Sequence, residues 1–430
     1  MKYTLNLFLM ILFLLGSCGL TKKNIIEPKI ITNNEATVII PKVEKIIKVD
    51  TISKKIQTGA ENFLDYLPLL KNKKVAIVTN QTGILIYEDP DTAQIETINT
   101  VDFLLGSSIN LLKIFAPEHG FRGTADAGEH IVDGKDATTG LPIISLYGDN
   151  KKPKPEQLAG IEILVFDLQD VGARFYTYIS SLHYIMEACA ENKIQLLVLD
   201  RPNPNIAIVD GPVLGKEFTS FVGMHQIPVL HGMTIGEYAQ MINGEKWLNP
   251  STSSGQGKRC DLKVIPCLNY TRASKYSLPV KPSPNLPNDQ SVNLYASLCL
   301  FEGTNVSVGR GTEKQFQVYG SPFLAKNSFS FTPVPNLGAK EPLYKNEICY
   351  GEDLTKIKKR TTLELKWLLK AYDKTKDKNK FFNPFFTKLA GTKKLQQQIE
   401  KGISEIEIRK TWQKDLEIFK EMRKKYLIYD

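Results

Sequence analysis

The chain has 430 residues, of which 42% are hydrophobic and 23% charged, with a formal net charge of +9 and six cysteines. That apolar share fits a folded globular protein rather than a disordered chain. The lysines are scattered rather than interleaved with aromatics, and no zinc-finger, helix-turn-helix or RNA-binding signature is present, so the positive charge does not point to nucleic acid.

Lys2 precedes an almost unbroken apolar run over residues 5–15. A membrane span needs roughly 20 apolar residues, so this run reads as the core of a secretory signal. It ends in Leu15-Gly16-Ser17-Cys18, which resembles the lipobox of bacterial lipoproteins. The expectation is a signal peptide over residues 1–17 and a lipidated Cys18 that anchors the protein to a membrane of the cell envelope, as a periplasmic or outer-membrane lipoprotein. Residues 18–58, rich in Lys, Ile, Asn and Thr without sustained periodicity, read as a tether, with a short strand possible around 36–40. The remaining ~370 residues suffice for two packed domains.

Residues 74–80 (KVAIVTN) form a buried-strand run that stops at Asn80-Gln81-Thr82-Gly83. Residues 98–105 have helical character, and residues 110–115 (NLLKIF) are strand-like and lead into Pro117-Glu118-His119. Further strands are expected at 141–147, 162–167 and 195–199, with a helix at 178–191. Short apolar strands alternating with helices imply a parallel sheet covered on both faces, which binds ligands beyond the carboxyl ends of its strands. Three strands run into dense polar clusters: Pro117-Glu118-His119, Gln169-Asp170 and Asp200-Arg201-Pro202-Asn203. This α/β, Rossmann-like part is assigned to residues 59–211. A second, smaller β-rich (α+β) domain with C-terminal helices is assigned to 212–430. Within it, 233–248 reads as a helix opened by a Thr234/Glu237 capping box, 260–267 as a strand and 411–426 as a basic helix.

Apart from Cys18, Cys189 and Cys299 lie in apolar stretches and read as core thiols, while Cys260 and Cys267 bracket a strand and could pair. No metal or cofactor is expected. His119, His130, His183, His225 and His231 show no H-x-x-x-H or H-E-x-x-H spacing, and no G-x-G-x-x-G follows the first strand.

Several blocks in order carry a family resemblance: Val78-Thr79-Asn80-Gln81-Thr82-Gly83; Pro117-Glu118-His119-Gly120-Phe121-Arg122-Gly123; Phe166-Asp167-Leu168-Gln169-Asp170-Val171-Gly172-Ala173-Arg174-Phe175-Tyr176-Thr177-Tyr178; Asp200-Arg201-Pro202-Asn203-Pro204; His231-Gly232-Met233-Thr234; Pro282-Ser283-Pro284-Asn285; Phe301-Glu302-Gly303-Thr304-Asn305; and Gly309-Arg310-Gly311-Thr312. From about residue 60 onward the chain resembles the bacterial exo-β-N-acetylmuramidase family of the NamZ type. Two departures stand out, at Gln315-Phe316 where the family often has Pro-Phe, and at Ala296-Ser297 where it has Pro-Gly; neither touches an acidic residue. The resemblance implies an exo-acting hydrolase that takes terminal N-acetylmuramic acid from the non-reducing end of peptidoglycan-derived chains. It also implies an active cleft between a Rossmann-like domain and a smaller one, with Glu118 as catalytic acid.

Glycoside cleavage uses a carboxylic acid to protonate the leaving oxygen and a second group to deliver water or attack carbon. Glu118 fits the first role, with His119 to orient it. Asp170 is the first candidate for the second, with Asp167, Glu302 and the substrate's own acetamido group as alternatives. Muramic acid carries a lactyl carboxylate, which calls for an arginine: Arg122, Arg174, Arg201 and Arg310 are the candidates. Tyr176 and Tyr178 are candidates to stack on sugar. Asn80, Gln81, Asn203, His231, Asn285 and Glu302 are candidate polar contacts. The competing readings are a non-catalytic muropeptide-binding lipoprotein, and an amidase or esterase, for which no G-x-S-x-G elbow is present.

Overall fold

A computed structural model describes residues 55–89, 92–118, 120–121, 133–248 and 258–430, together with the backbone of Thr32–Asn33 and Ala36–Thr37. Those two short segments pair antiparallel in a unit of their own, and the rest of the fold lies within residues 40–430. Cys18, His119 and Arg122 lie outside the described residues.

The centre is a seven-stranded sheet. Its strands in chain order are β1 (Lys74–Thr79), β4 (Asn110–Ala116), β5 (Gly134–Lys135), β6 (Pro142–Ser145), β7 (Ile163–Asp167), β8 (Gln195–Leu199) and β9 (Leu262–Ile265). Across the sheet they run β9-β8-β7-β1-β4-β6-β5, all parallel except β5, which lies antiparallel to β6. The order reverses between β1 and β7, where Val75 pairs with Ile163 and Thr79 with Asp167. In open α/β sheets a reversal of this kind leaves a crevice beyond the carboxyl ends of the strands.

The continuous apolar runs have the expected cause. Ala76, Val78, Leu164, Phe166, Leu196 and Val198 enter one core, whereas Val75, Ile77, Ile163, Val165, Leu197 and Leu199 enter another on the opposite face. Side chains alternate across each strand, so both faces must be apolar when both are covered. The first core takes in residues of helices Tyr178–Asn192, Ile235–Gly244 and Asp289–Leu298, and the second those of Phe63–Leu70 and Thr100–Gly106.

Two findings differ from the sequence reading. Residues 98–105 are divided: β2 (Ile84–Glu88) and β3 (Ile95–Asn99) form a hairpin, and the helix begins at Thr100. Asn99 makes the break, since its side chain accepts from the Val101 amide as an N-cap while its own backbone stays extended. The sheet also continues past residue 211. β9 pairs with β8 in parallel, so the Rossmann-like layer takes its last strand from the stretch assigned to the second domain. Helix Ile235–Gly244 carries the Thr234/Glu237 capping box that its sequence suggests. Beyond it lie a small antiparallel sheet of β10 (Val318–Ser321), β11 (Ser330–Phe331) and β12 (Cys349–Asp353), and then helices ending with Gln413–Lys424. The five described cysteines are buried and free, so Cys260 and Cys267 are not paired.

Candidate active site

A cavity of about 360 Å³ opens beyond the carboxyl ends of the sheet. Glu118 enters it from the turn that follows β4, and Tyr176, Thr177 and Tyr178 enter from the start of helix Tyr178–Asn192. Asn285, Glu302, Arg310 and Phe316 close it from the C-terminal half of the chain. Thr177 occupies the N-cap position of its helix yet makes no capping bond; its hydroxyl donates instead to Glu118 Oε2 at 2.8 Å.

The walls are mostly aromatic. Tyr176 meets Tyr178 edge-on at 4.8 Å and Tyr295 at 5.9 Å, and Tyr295 meets Phe316 at 5.0 Å. Such edge-to-face contacts hold the rings as one rigid surface. The Tyr176 hydroxyl donates to the Pro282 carbonyl at 2.7 Å, and Tyr178 accepts from Asn80 Nδ2. Burial pushes the Tyr176 and Tyr178 hydroxyls well above their ordinary value, so both stay neutral donors and acceptors.

Two carboxylates line the cavity, Glu118 and Glu302, and one guanidinium, Arg310. Arg310 Nε lies 2.7 Å from Glu302 Oε1, and its guanidinium sits over the Phe316 ring at 5.1 Å. Cys299, a buried thiol as the sequence suggests, lies against the cavity with Sγ 3.4 Å from Glu302 Oε2. Asn285 donates to the Gly338 carbonyl at 2.6 Å while its buried Oδ1 has no partner among the described residues, which leaves an acceptor for a ligand. Gln81 donates to the Lys281 carbonyl at 3.2 Å and so ties the β1 turn to the loop bearing Pro282.

The polar clusters after β7 and β8 are not among the cavity's lining residues. Arg201 forms a buried bidentate pair with Asp167 at 2.6 and 3.0 Å and donates to the Ile84 carbonyl at 2.9 Å. Arg174 is fully buried and donates to the carbonyls of Pro212, Ile227 and Leu389, each at 2.8 Å; burial brings its guanidinium down to about 9. Asn80 accepts from the Thr82 amide and hydroxyl, and Asn203 bridges the Met233 carbonyl and the Asn205 amide, so both are committed to turns. Asp170 accepts from the Gly172 amide at 2.6 Å and lies 3.7 Å from His231 Nε2. Burial lifts Asp170 to about 7 and lowers His231 to about 3, helped by Arg423 and Arg174. The pair is therefore a contact between a readily protonated carboxyl and a neutral imidazole rather than an ion pair.

Sequence reasoning assigns no site role to Thr177, Tyr295 or Phe316. Thr177 stands inside a recognised block, and its hydroxyl just ahead of a helix was the available signal. Nothing in the sequence sets Tyr295 or Phe316 apart from core aromatics.

Family models described as the N-terminal and C-terminal parts of exo-β-N-acetylmuramidase NamZ match residues 75–290 and 293–429. The chain is 37% identical over 413 residues to the peptidoglycan β-N-acetylmuramidase NamZ of Bacillus subtilis (strain 168), covering 87% of this chain and 92% of that protein. Crystal structures of two DUF1343 family proteins from Bacteroides fragilis NCTC 9343 are also similar. One is 43% identical with a TM-score of 0.77, over 87% of this chain and 99% of the other. The second is 28% identical with a TM-score of 0.70, over 88% and 100%.

Proposed function

The chain belongs to the NamZ family of exo-β-N-acetylmuramidases, and from that premise we propose that it removes terminal N-acetylmuramic acid from the non-reducing end of peptidoglycan fragments during cell-wall turnover, with Glu118 as general acid. The observation that carries this reading is the placement of Glu118. It lies at the carboxyl end of a sheet strand, in a cavity with aromatic walls, with the Thr177 hydroxyl on one oxygen. That hydrogen bond fixes the carboxyl's rotamer, which a proton donor to a glycosidic oxygen requires. Water or the sugar's acetamido group then completes the displacement. A binding protein would use the same walls, but a carboxyl held over them suits proton transfer.

Release of nitrophenol from para-nitrophenyl β-N-acetylmuramide, beside the matching glucosaminide, tests the reading. Muramide-selective release is expected, falling ~10²–10⁴-fold in Glu118→Gln, the range of a general acid. Binding of the muramide without turnover by the folded wild type would instead favour a muropeptide-binding lipoprotein.

We further propose an envelope location with a lipid anchor at Cys18, supported by Lys2, the apolar run and the small residues before Cys18. Loss of membrane association in Cys18→Ala is the expected result; unchanged partitioning would refute the anchor.

A further inference from the structure

Within the muramidase reading, on which this inference rests, the remaining question is what in the cavity tells muramic acid from glucosamine. The two sugars differ by a lactyl ether that ends in a carboxylate. The cavity already holds two acidic side chains, so the lactyl carboxylate needs a cation to offset its charge. Among the described lining residues Arg310 is the single cation.

Arg310 is presented in an unusual way. It stands between Gly309 and Gly311, both at φ +78°, where a Cβ would lie 2.5 Å from Val318 Cγ2 and 2.7 Å from Pro342 respectively. Only glycine on both sides allows that turn. Phe316, the ring beneath the guanidinium, is buried and has a φ of +52°, a region that bulky residues rarely adopt. Its amide is held by the Val308 carbonyl at 2.8 Å. Sparsely populated backbone of this kind persists where the surroundings enforce it, often at ligand clamps.

The donors of Arg310 are divided. Nε is used by Glu302 at 2.7 Å, no described residue accepts from the terminal nitrogens, and a quarter of the side chain is exposed. A guanidinium whose Nε edge is occupied still offers its end as a two-pronged donor that matches a carboxylate. Arg174 and Arg201 offer no such two-pronged end, because carbonyls take both terminal nitrogens of Arg174, while Asp167 and the Ile84 carbonyl take Nε and Nη2 of the buried Arg201. We propose that the terminal nitrogens of Arg310 bind the lactyl carboxylate, with Glu302 and Phe316 as positioning residues that fix the plane of the guanidinium.

The test is equilibrium binding to full-length protein carrying Glu118→Gln, so that no ligand is consumed. Three methyl β-glycosides serve as probes: N-acetylmuramic acid, its neutral lactyl methylamide, and N-acetylglucosamine. With Arg310 present, the acid should bind ~10–100-fold more tightly than the amide, as expected of charge-assisted hydrogen bonds. Arg310→Met should collapse the acid-to-amide ratio to near one, and Arg310→Lys, which keeps charge but not the fork, should leave an intermediate ratio. Phe316→Leu should lower the same ratio several-fold, a change that a purely structural ring would not produce. If Arg310→Met melts early, Arg310→Lys and Phe316→Leu carry the test. An acid preference that survives undiminished in folded Arg310→Met or Arg310→Lys, or is missing with Arg310 present, overturns the proposal while leaving the enzyme's activity in place. Failure of all three sugars to bind, with no muramide release by wild type, would overturn the muramidase reading itself.

Discussion

Replacing Arg201 by Met should destabilise the fold by about 3–5 kcal/mol, the cost of leaving a buried charge without its partner. Asp167 is fully buried, and its Oδ2 also accepts from Thr100 Oγ1 at 2.6 Å. One guanidinium thus joins the end of β7, the start of β2 through the Ile84 carbonyl and, through Asp167, the helix that opens at Thr100. Methionine fills much of the volume but supplies no donor, so Asp167 must either ionise unpaired or take up a proton. At about 2.1 cal/mol/K per residue, some 375 residues give an unfolding entropy near 0.8 kcal/mol/K, so Tm should fall by about 4–6 °C. The assay is thermal unfolding beside Asp167→Leu and the double variant. The double variant should recover most of the loss, because removing both charges also removes the unpaired one. The ratio of muramide to glucosaminide turnover should stay at its wild-type value at temperatures where the variant is folded. A shift of Tm below 1 °C, or a collapse of selectivity at unchanged stability, would refute the structural role and return Arg201 to the substrate.

Two further variants separate support from chemistry. Asp170 has a folded-state value of about 7, raised by burial from an ordinary 3.8, so the native state binds this proton more tightly than the unfolded chain. Its contribution is complete below about pH 4 and is lost as pH rises through about 7, worth up to about 4 kcal/mol at 1.36 kcal/mol per unit. Asp170→Asn keeps an oxygen for the Gly172 amide, so its Tm should match wild type near pH 4 and exceed it increasingly towards pH 8; a pH-independent difference would refute this. The same variant should keep turnover within about tenfold, whereas a loss approaching that of Glu118→Gln would make Asp170 the second catalytic group. Thr177→Val deletes the hydroxyl on Glu118 with little change of shape. It should lower kcat ~10-fold with KM nearly constant, the value of one hydrogen bond, and a raised KM with kcat unchanged would mean that Thr177 acts on binding.

The sheet was legible because its signal is local. KVAIVT, ILVFD and QLLVL each carry an unbroken run of four apolar residues, and only a strand covered on both faces needs that composition. The hairpin of β2 and β3 was missed since Thr100–Leu105 is helical and its apolar pattern carries back across Asn99, the residue that divides the two. β9 was legible as a strand but not as a member of the parallel sheet, because its partnership with β8 is set by a chain crossing that composition does not encode.

The candidate site divides along the same line. Polar residues at strand ends mark where a Rossmann-like sheet can bind, yet they do not say which of them face the ligand. Glu118 lines the cavity, while Asp167, Arg201, Asp200 and Asn203 turn inward and hold the loops together. Asp200 is the clearest case: it accepts from Thr234, Gly236 and, from the far end of the chain, Tyr429. A buried carboxylate needs such donors to remain inside a dry core, so a polar cluster at a strand end is as much a demand of packing as a sign of chemistry. What distinguishes Arg310 from Arg201 is therefore not residue type or motif but a partly exposed tip with both terminal nitrogens uncommitted, where Arg201 is buried with Nη2 shared between Asp167 and the Ile84 carbonyl, and that difference becomes visible only once the partners of each guanidinium are placed.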